Sequence, residues 1–369
     1  MREPPDRRGG GEVKQISRSE SNRVPGAPPT EMMQLHTTHE ALPEAGETVE
    51  VAAGVHWLRM PLPFALDHIN LWLLADGEAW TAVDTGIALD PVRDAWRQAL
   101  AGKKLARQIV THFHPDHLGL ADWLEGETGA SLWMTLGEYA TAQLIKQQVA
   151  GFSIPAMLDF FRSHGLDAER LAALEARGNA YGRGVPAIPA TFRRILADEE
   201  IAIGGRNWRV IVGHGHAAEH AALYCDDLRV LIAGDMLLPR ISTNVSAFAA
   251  APANDGLGAF LASIDRFTAL PADTLVLPSH GRPFRGIHAR VAQLHAHHAD
   301  RCALLQAACA EGPRTAAELM PVLFERDITD AHQTMFAIGE AIAHLIHLEQ
   351  SNAVKRVVDN GTIRFVSTP

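Results

Sequence analysis

Hydrophobic and polar positions change rhythm several times along the chain. Residues 1 to about 44, beginning MREPPDRRGGGEVKQISRSESNRVPGAPPT, are rich in Pro, Gly, Arg and Ser and carry few large apolar side chains. Such a segment cannot bury enough surface to offset its ordering, so it is read as a disordered extension outside the fold. From Glu50, short apolar runs broken by Gly and Asp follow one another: VEVAAGVHWLRMPL, INLWLLADG and AWTAVDTG predict the strands of a meander. DPVRDAWRQALAG predicts a helix entered through Asp90 and Pro91 and left at Gly102. ARQIVTHFH reads as a buried strand, and PDHLGLADWLEGETG as a helix opened by Pro115.

Residues 136–200 carry a mostly helical period, with IPAMLDFFRSHGL and DAERLAALEARG as candidates. Strands return in NWRVIVGHGH, AALYCDD, RVLIAGD and TLVLPSH, each ending near Gly, His or Asp. The alternation to about residue 284 predicts an α/β fold in which chemistry-bearing residues sit where strands stop, the usual place for a site on such a scaffold. Beyond Arg285, GIHARVAQLHAHHADRCALLQAACAEG predicts one long helix closed by Gly312 and Pro313. Helices in TAAELMPVLF and DAHQTMFAIGEAIAHLIHLEQSNA follow, then a hairpin VKRVVDNGTIRFV turned at Asn360–Gly361.

With 369 residues, 47% of them hydrophobic, the chain has room for about two domains and a proper core. A net charge of -10 argues against general attraction to nucleic acid or an anionic membrane, so the expected partner is a small molecule. Cys225, Cys302 and Cys309 are odd in number, scattered and without a CxxC pair, which indicates neither a disulfide framework nor a thiolate zinc site. No run of 18 apolar residues and no signal-peptide core is visible, and the expected compartment is the reducing cytoplasm.

The stretch THFHPDHLG, Thr111 to Gly119, concentrates the chemistry. In extended chain His112 and His114 point to one side. Pro115 then forbids a helix running back through them and begins one, with Asp116 and His117 in its first turn. Four donors from two backbone geometries converge on one small volume, which suits two neighbouring cations better than one. Further donors stand where later strands end, in VGHGHAAEH, IAGD at Asp235 and LPSH at His280.

In these segments and their order the sequence resembles the metallo-β-lactamase-fold hydrolases, over residues of about 50 to 285. That resemblance implies a four-layer αββα sandwich. It implies that His112, His114 and His216 hold one metal, that Asp116, His117 and His280 hold another, and that Asp235 bridges them. Asp84 of VDTG would sit behind the ligands. The family pattern Gly-His-x-x-x-His before a strand favours His216 over His214, leaving His214 as a neighbour on the pocket wall and His220 as a packed histidine donating to a backbone or carboxylate group. Imidazoles and carboxylates without thiolate suit two divalent ions, Zn²⁺ first, with Fe or Mn as alternatives. Such a pair, on the order of 3.5–4 Å apart, would generate a hydroxide at neutral pH, with Asp116 and Asp235 as the catalytic carboxylates.

The segment 136–200 lies between the first and second ligand motifs and is read as a helical lid. Leu144, Ile145, Met157, Leu158, Phe160 and Phe161 would offer an apolar inner face, with Met157, Phe160 and Phe161 as substrate-pocket residues. The favoured substrate is therefore a small carbonyl compound: a thioester, ester or lactone. Residues 289–369 resemble the winged-helix-like appendage of one branch of the family, the lactamase-beta-2-like and glyoxalase II-like proteins, which raises nuclease action on RNA or single-stranded DNA as the alternative. Against it, residues 312–369 hold five Lys or Arg against seven Asp or Glu, and 331–350 contain no Lys or Arg. The appendage is read as a packing or homodimerisation element, and His295, His297 and His298 on the long helix as a solvated face, since i, i+2 and i+3 do not share one point. A third reading is a non-catalytic binding or effector module that retains the fold.

Overall fold

A computed structural model describes residues 35–368 except 65 and 329. Of the extension expected to lie outside the fold, residues 1–34 fall outside the described residues. The boundary drawn at 44 is too late: β1 (His36–Thr37) pairs antiparallel with Phe284–Arg285, and Arg282 donates to the carbonyls of His39 and Glu40. A two-residue strand has no hydrophobic period to announce it.

The first sheet runs β2 (Val49–Ala52), β3 (Val55–Pro61), β4 (His68–Asp76), β5 (Ala79–Val83), β6 (Lys104–Ile109), β7 (Ser131–Met134) and β8 (Arg193–Arg194). It is an antiparallel meander as far as β5 and parallel from there on. The second sheet is ordered β1, β14 (Phe284–Arg285), β13 (Leu275–Pro278), β12 (Val230–Gly234), β11 (His220–Cys225), β10 (Arg206–Gly213) and β9 (Glu200–Ile203).

Alternation along the strands sets the layers. On β4, Trp72 and Leu74 enter the core between the sheets, with Trp57, Val83, Trp208, Leu223, Ile232 and Leu277. Leu71 and Leu73 face the other way, onto Trp96 of α1 (Asp90–Ala99) and Leu124 of α3 (Ala121–Thr128). The outer face of the second sheet is covered by α8 (Gly256–Asp265) and α9 (Ile287–Ala310) through Phe260, Ile264, Ile287 and Leu294. The result is the α/β metallo-β-lactamase architecture, two sheets flanked by helices. The expected helix from Pro115 is broken into α2 (Pro115–Leu118) and α3 around Gly119, which is crowded by the carbonyls of Pro115, Gly184 and Gly86.

The segment 136–200 is helical as expected: α4 (Leu136–Lys146), α5 (Ile154–Ser163), α6 (Ala168–Arg177) and α7 (Ala180–Gly184). Its packing differs from a lid over the site. Tyr139, Ala142, Ile145 and Tyr181 pack on the catalytic layers with Phe113 and Met134. Leu158, Phe160 and Phe161 are buried instead in one core with α9, α10 (Ala316–Phe324) and α11 (Ala331–Gln350), and Met157 packs against it. Backbone joins the two pieces, Ala317 N–H donating to the His164 carbonyl at 3.2 Å. The substrate-pocket assignment of Met157, Phe160 and Phe161 is thus corrected: the C-terminal helices offer a complementary apolar face, and burial there removes more apolar surface from water than lining a solvent-filled pocket would.

The small C-terminal region closes with the hairpin β15 (Val354–Asp359) and β16 (Thr362–Ser367), turned by Asn360 and Gly361, both at positive φ. The solvated-face reading of the long helix fails at His298, which is buried with its Nδ1 3.1 Å from Nε2 of His344 on α11. His295 is partly exposed and lies against Asp265 at 2.7 Å. Among the described residues no helix is long and apolar enough to cross a membrane.

Candidate metal centre

The site forms where strands of both sheets end on one edge. Beyond β6 the chain leaves the sheet, and His112 and His114 project from extended backbone before α2 carries Asp116 and His117. His216 follows β10, Asp235 follows β12 and His280 follows β13. Asn70 on β4 joins the two sheets here, its Nδ2 donating to the carbonyls of Pro278 and Gly281 at 2.8 Å each.

Seven donors fall into two groups, His112, His114, His216 and Asp235 in one and Asp116, His117 and His280 in the other, with donor atoms within 4.8 Å of one another in each. His112 Nε2 lies 2.8 Å from His114 Nδ1 and 3.2 Å from His216 Nε2. Ligand atoms ~2.0–2.1 Å from a tetrahedral Zn²⁺ stand ~3.3 Å apart, so this spacing fits a cation. Asp235 faces both groups: Oδ2 is 3.5 Å from His216 Nε2, while Oδ1 is 3.6 Å from His117 Nε2 and 3.5 Å from His280 Nε2. His117 Nε2 and Asp235 Oδ1 are buried without a hydrogen-bond partner, which a protein ordinarily avoids unless the atom has another use.

The outer nitrogens are tied down, which fixes each ring's tautomer. His117 Nδ1–H donates to Asp84 Oδ2 at 2.8 Å, His216 Nδ1–H to the Asn244 carbonyl at 2.7 Å, and His280 Nδ1–H to the His68 carbonyl at 2.8 Å. Each turns Nε2 toward the centre. Burial, reinforced by neighbouring imidazoles, holds His112 well below the usual histidine range and pushes His114 down to about 3, so both rings are neutral at physiological pH, the form in which an imidazole can hold a metal. Burial opposes charge on His117 too, but the Asp84, Asp116 and Asp235 carboxylates outweigh it and raise its pKa well above 6.5. Burial raises the Asp116 carboxyl, yet His117 and His280 bring it down to about 2.

The remaining histidines behave differently. His214 is exposed, its Nδ1–H closing onto the Ala218 carbonyl at 2.7 Å, and it belongs to neither donor group. His220 is buried but does not donate as expected: its Nε2 accepts from the Asp235 N–H at 3.2 Å, and its Nδ1 has no partner. Gly234 makes this approach possible, since at its φ of +54° a Cβ would stand 2.3 Å from His220 Nε2. Sequence reasoning missed Asn244 and His68, which act through carbonyls and so leave no side-chain signal. It also missed Glu138, buried at the start of α4, which accepts from Phe113 N–H at 2.9 Å and Glu219 N–H at 2.5 Å and so clamps the two histidine-bearing loops together.

A family model described as "Metallo-beta-lactamase superfamily" matches residues 65–280. The chain belongs to the metallo-β-lactamase superfamily. A second model, "Metallo-beta-lactamase-like, C-terminal domain", matches residues 302–368 of this superfamily member. The crystal structure of a beta-lactamase domain protein from Burkholderia ambifaria is 45% identical, with a TM-score of 0.85, covering 92% of this chain and 100% of that one. Over 323 residues the chain is 24% identical to "Probable metallo-hydrolase YqjP" of Bacillus subtilis, covering 84% of this chain and 96% of that protein. It is 27% identical over 224 residues to a hydroxyacylglutathione hydrolase of Albidiferax ferrireducens, covering 60% of this chain and 65% of that protein. The superfamily member is accordingly a metallo-hydrolase, with clusters of side chains suited to divalent metal ions.

Proposed function

We propose that the protein is a dinuclear metal-dependent hydrolase of a small carbonyl substrate, with a thioester first among the candidates. The observation that carries this reading is Asp235, whose two oxygens face separate donor groups in a way that suits a bridge. His112, His114 and His216 would hold one ion and Asp116, His117 and His280 the other, with Zn²⁺ favoured by the imidazole and carboxylate set. When bound, such ions supply Lewis-acid polarisation and lower the pKa of water toward 7.

The chain's own residues prepare that chemistry. The Asn244 and His68 carbonyls and the Asp84 carboxylate orient the rings of His216, His280 and His117. Asp116 keeps 21% of its side chain exposed, more than the 11% of Asp235. Held anionic at neutral pH, its oxygen accepts a hydrogen bond from the attacking water and aligns it toward the carbonyl carbon. Water is the natural nucleophile because the cysteines lie elsewhere: Cys225 between the sheets, and Cys302 and Cys309 on α9.

A thioester is favoured because hydroxyacylglutathione, named for one relative's substrate, is a thioester. Nuclease action is disfavoured by α11, which is buried without interruption from Ala337 to Ile346 and carries no Lys or Arg to meet phosphate. The test combines metal analysis of the purified protein with turnover of an acyl thioester, a lactone, an aryl ester and a labelled RNA. About two metal equivalents and thioester turnover, lost by several orders of magnitude in Asp235→Asn, are expected. RNA cleavage without turnover of any acyl compound would reverse the ranking.

A further inference from the structure

A cavity of about 610 Å³ lies where three distant segments meet. Phe64 and Leu66 come from the β3–β4 loop, Arg177 from the end of α6, and residues from Phe324 to Glu340 from the α10–α11 turn and the first half of α11. Two short connections join its walls to the donor cluster. The loop carrying Phe64 runs into His68, whose carbonyl takes the His280 Nδ1–H. Glu340 Oε2 accepts from Asn244 Nδ2 at 2.9 Å, and the Asn244 carbonyl takes the His216 Nδ1–H. Through these links the cavity wall touches Asn244 by way of Glu340 and leads along the chain from Phe64 to His68, the residues that orient one histidine from each donor group, while none of the seven donors itself lines the cavity.

Its walls pair apolar surface with two guanidinium groups that form no ion pair among the described residues, although the Asp330 carboxylate is near enough to favour the charge on Arg177. Phe64 stacks on the His332 ring at 5.1 Å and 17°, and Phe336 meets the same ring edge-on at 5.0 Å. Arg177 donates from Nη2 to His332 Nδ1 at 2.9 Å, with its Nη1 3.9 Å from the Met335 sulfur. Arg326 donates from Nη2 to Gln333 Oε1 at 2.9 Å. Among the described residues, these polar partners of the two guanidinium groups are neutral. Asp330, an acid of the same cavity, is engaged in capping α11, its Oδ1 accepting from Gln333 N–H at 2.9 Å. Arg177 is half-buried against the His332 ring and Arg326 is exposed at the rim, and a guanidinium pair of this kind suits a carboxylate or phosphate that can take two N–H bonds.

We propose that this cavity is the subsite for the acyl part of the substrate, and that the acyl group is an apolar chain or ring ending in a carboxylate or phosphate held by Arg177 and Arg326. The proposal rests on the hydrolase reading above and narrows it. Arg177 and Arg326 are specificity-determining residues and play no part in bond breaking.

The test measures binding of 5-phenylvalerate, phenyl phosphate and the neutral 5-phenylpentanol to the purified full-length protein by calorimetry, in the wild type and in Arg177→Gln, Arg326→Gln and Arg177→Lys. At least one anion is expected to bind about tenfold more tightly than the alcohol, the better of the two identifying the terminal group. Either glutamine variant should erase that preference, and the lysine variant should keep part of it. Arg97→Gln, on the outer helix α1, controls for lost surface charge and should change nothing. Equal binding of anions and alcohol, or a preference untouched by Arg177→Gln and Arg326→Gln, would overturn the proposal. In parallel, glutaryl and valeryl thioesters of one thiol are compared as substrates. Turnover of both without preference or arginine dependence removes the subsite and leaves the hydrolase reading. Arginine-dependent anion binding without turnover of either thioester would leave an anion site but overturn both its role as an acyl subsite and the thioester as substrate.

Discussion

Asp84 combines near-complete burial with a left-handed backbone, φ 65°, a conformation that costs a non-glycine residue about 1–2 kcal/mol. The position is held because its carboxylate accepts from the Thr111 N–H at 2.7 Å, from the Thr111 hydroxyl, and from His117 Nδ1–H. One side chain thereby fixes both the loop that carries His112 and the ring of His117. Replacing it by alanine should lower metal affinity by about 10–100-fold in chelator competition, and undiminished affinity would remove Asp84 from its orienting role. At this scale the sequence was most informative where chemistry is dense. His112, His114, Asp116 and His117 lie within six consecutive positions, so spacing alone suggested a common centre. Where a carbonyl does the work, as at Asn244 and His68, any residue type would serve, and no reading of side chains could find them.

α5 shows what a hydrophobic period can and cannot tell. Leu158 and Phe161, three apart, mark a buried face, and that face was legible. Its partner was not, because periodicity records that a face is covered and is silent about what covers it. The cover turned out to be α9–α11, more than a hundred residues onward, instead of the metal site. Phe161→Ala is therefore expected to behave as a core truncation, losing about 3–5 kcal/mol in chemical denaturation. A loss under about 1 kcal/mol would show that the side chain packs less tightly than its burial implies. His298 was misread for a related reason: its spacing from His295 and His297 excluded a shared ligand point but could not reveal His344 approaching from another helix.

At the scale of the whole molecule, the catalytic layers and the C-terminal region meet through Glu340 of α11, which is buried and raised to about 7 by desolvation. The native state therefore keeps a proton that an unfolded glutamate releases near 4.5, and stability should fall as pH rises from about 4.5 to 7. Glu340→Gln can still accept from Asn244, and should flatten this dependence and gain roughly 2–3 kcal/mol at pH 8, read from urea midpoints across pH. An unaltered pH profile in the variant would show that Glu340 is not the titrating group. The broad architecture, strands alternating with helices and donors at strand ends, was visible in the sequence because it depends on local period and turn residues. The union of α5 with α11 depends on contacts across the chain, and it bears on how the protein is made. A nascent chain that has just exposed Phe161 must wait for about 180 further residues, roughly 10–40 s of ribosomal synthesis, before Leu345 emerges to cover it. Throughout that interval the greasy helix is a natural target for chaperones.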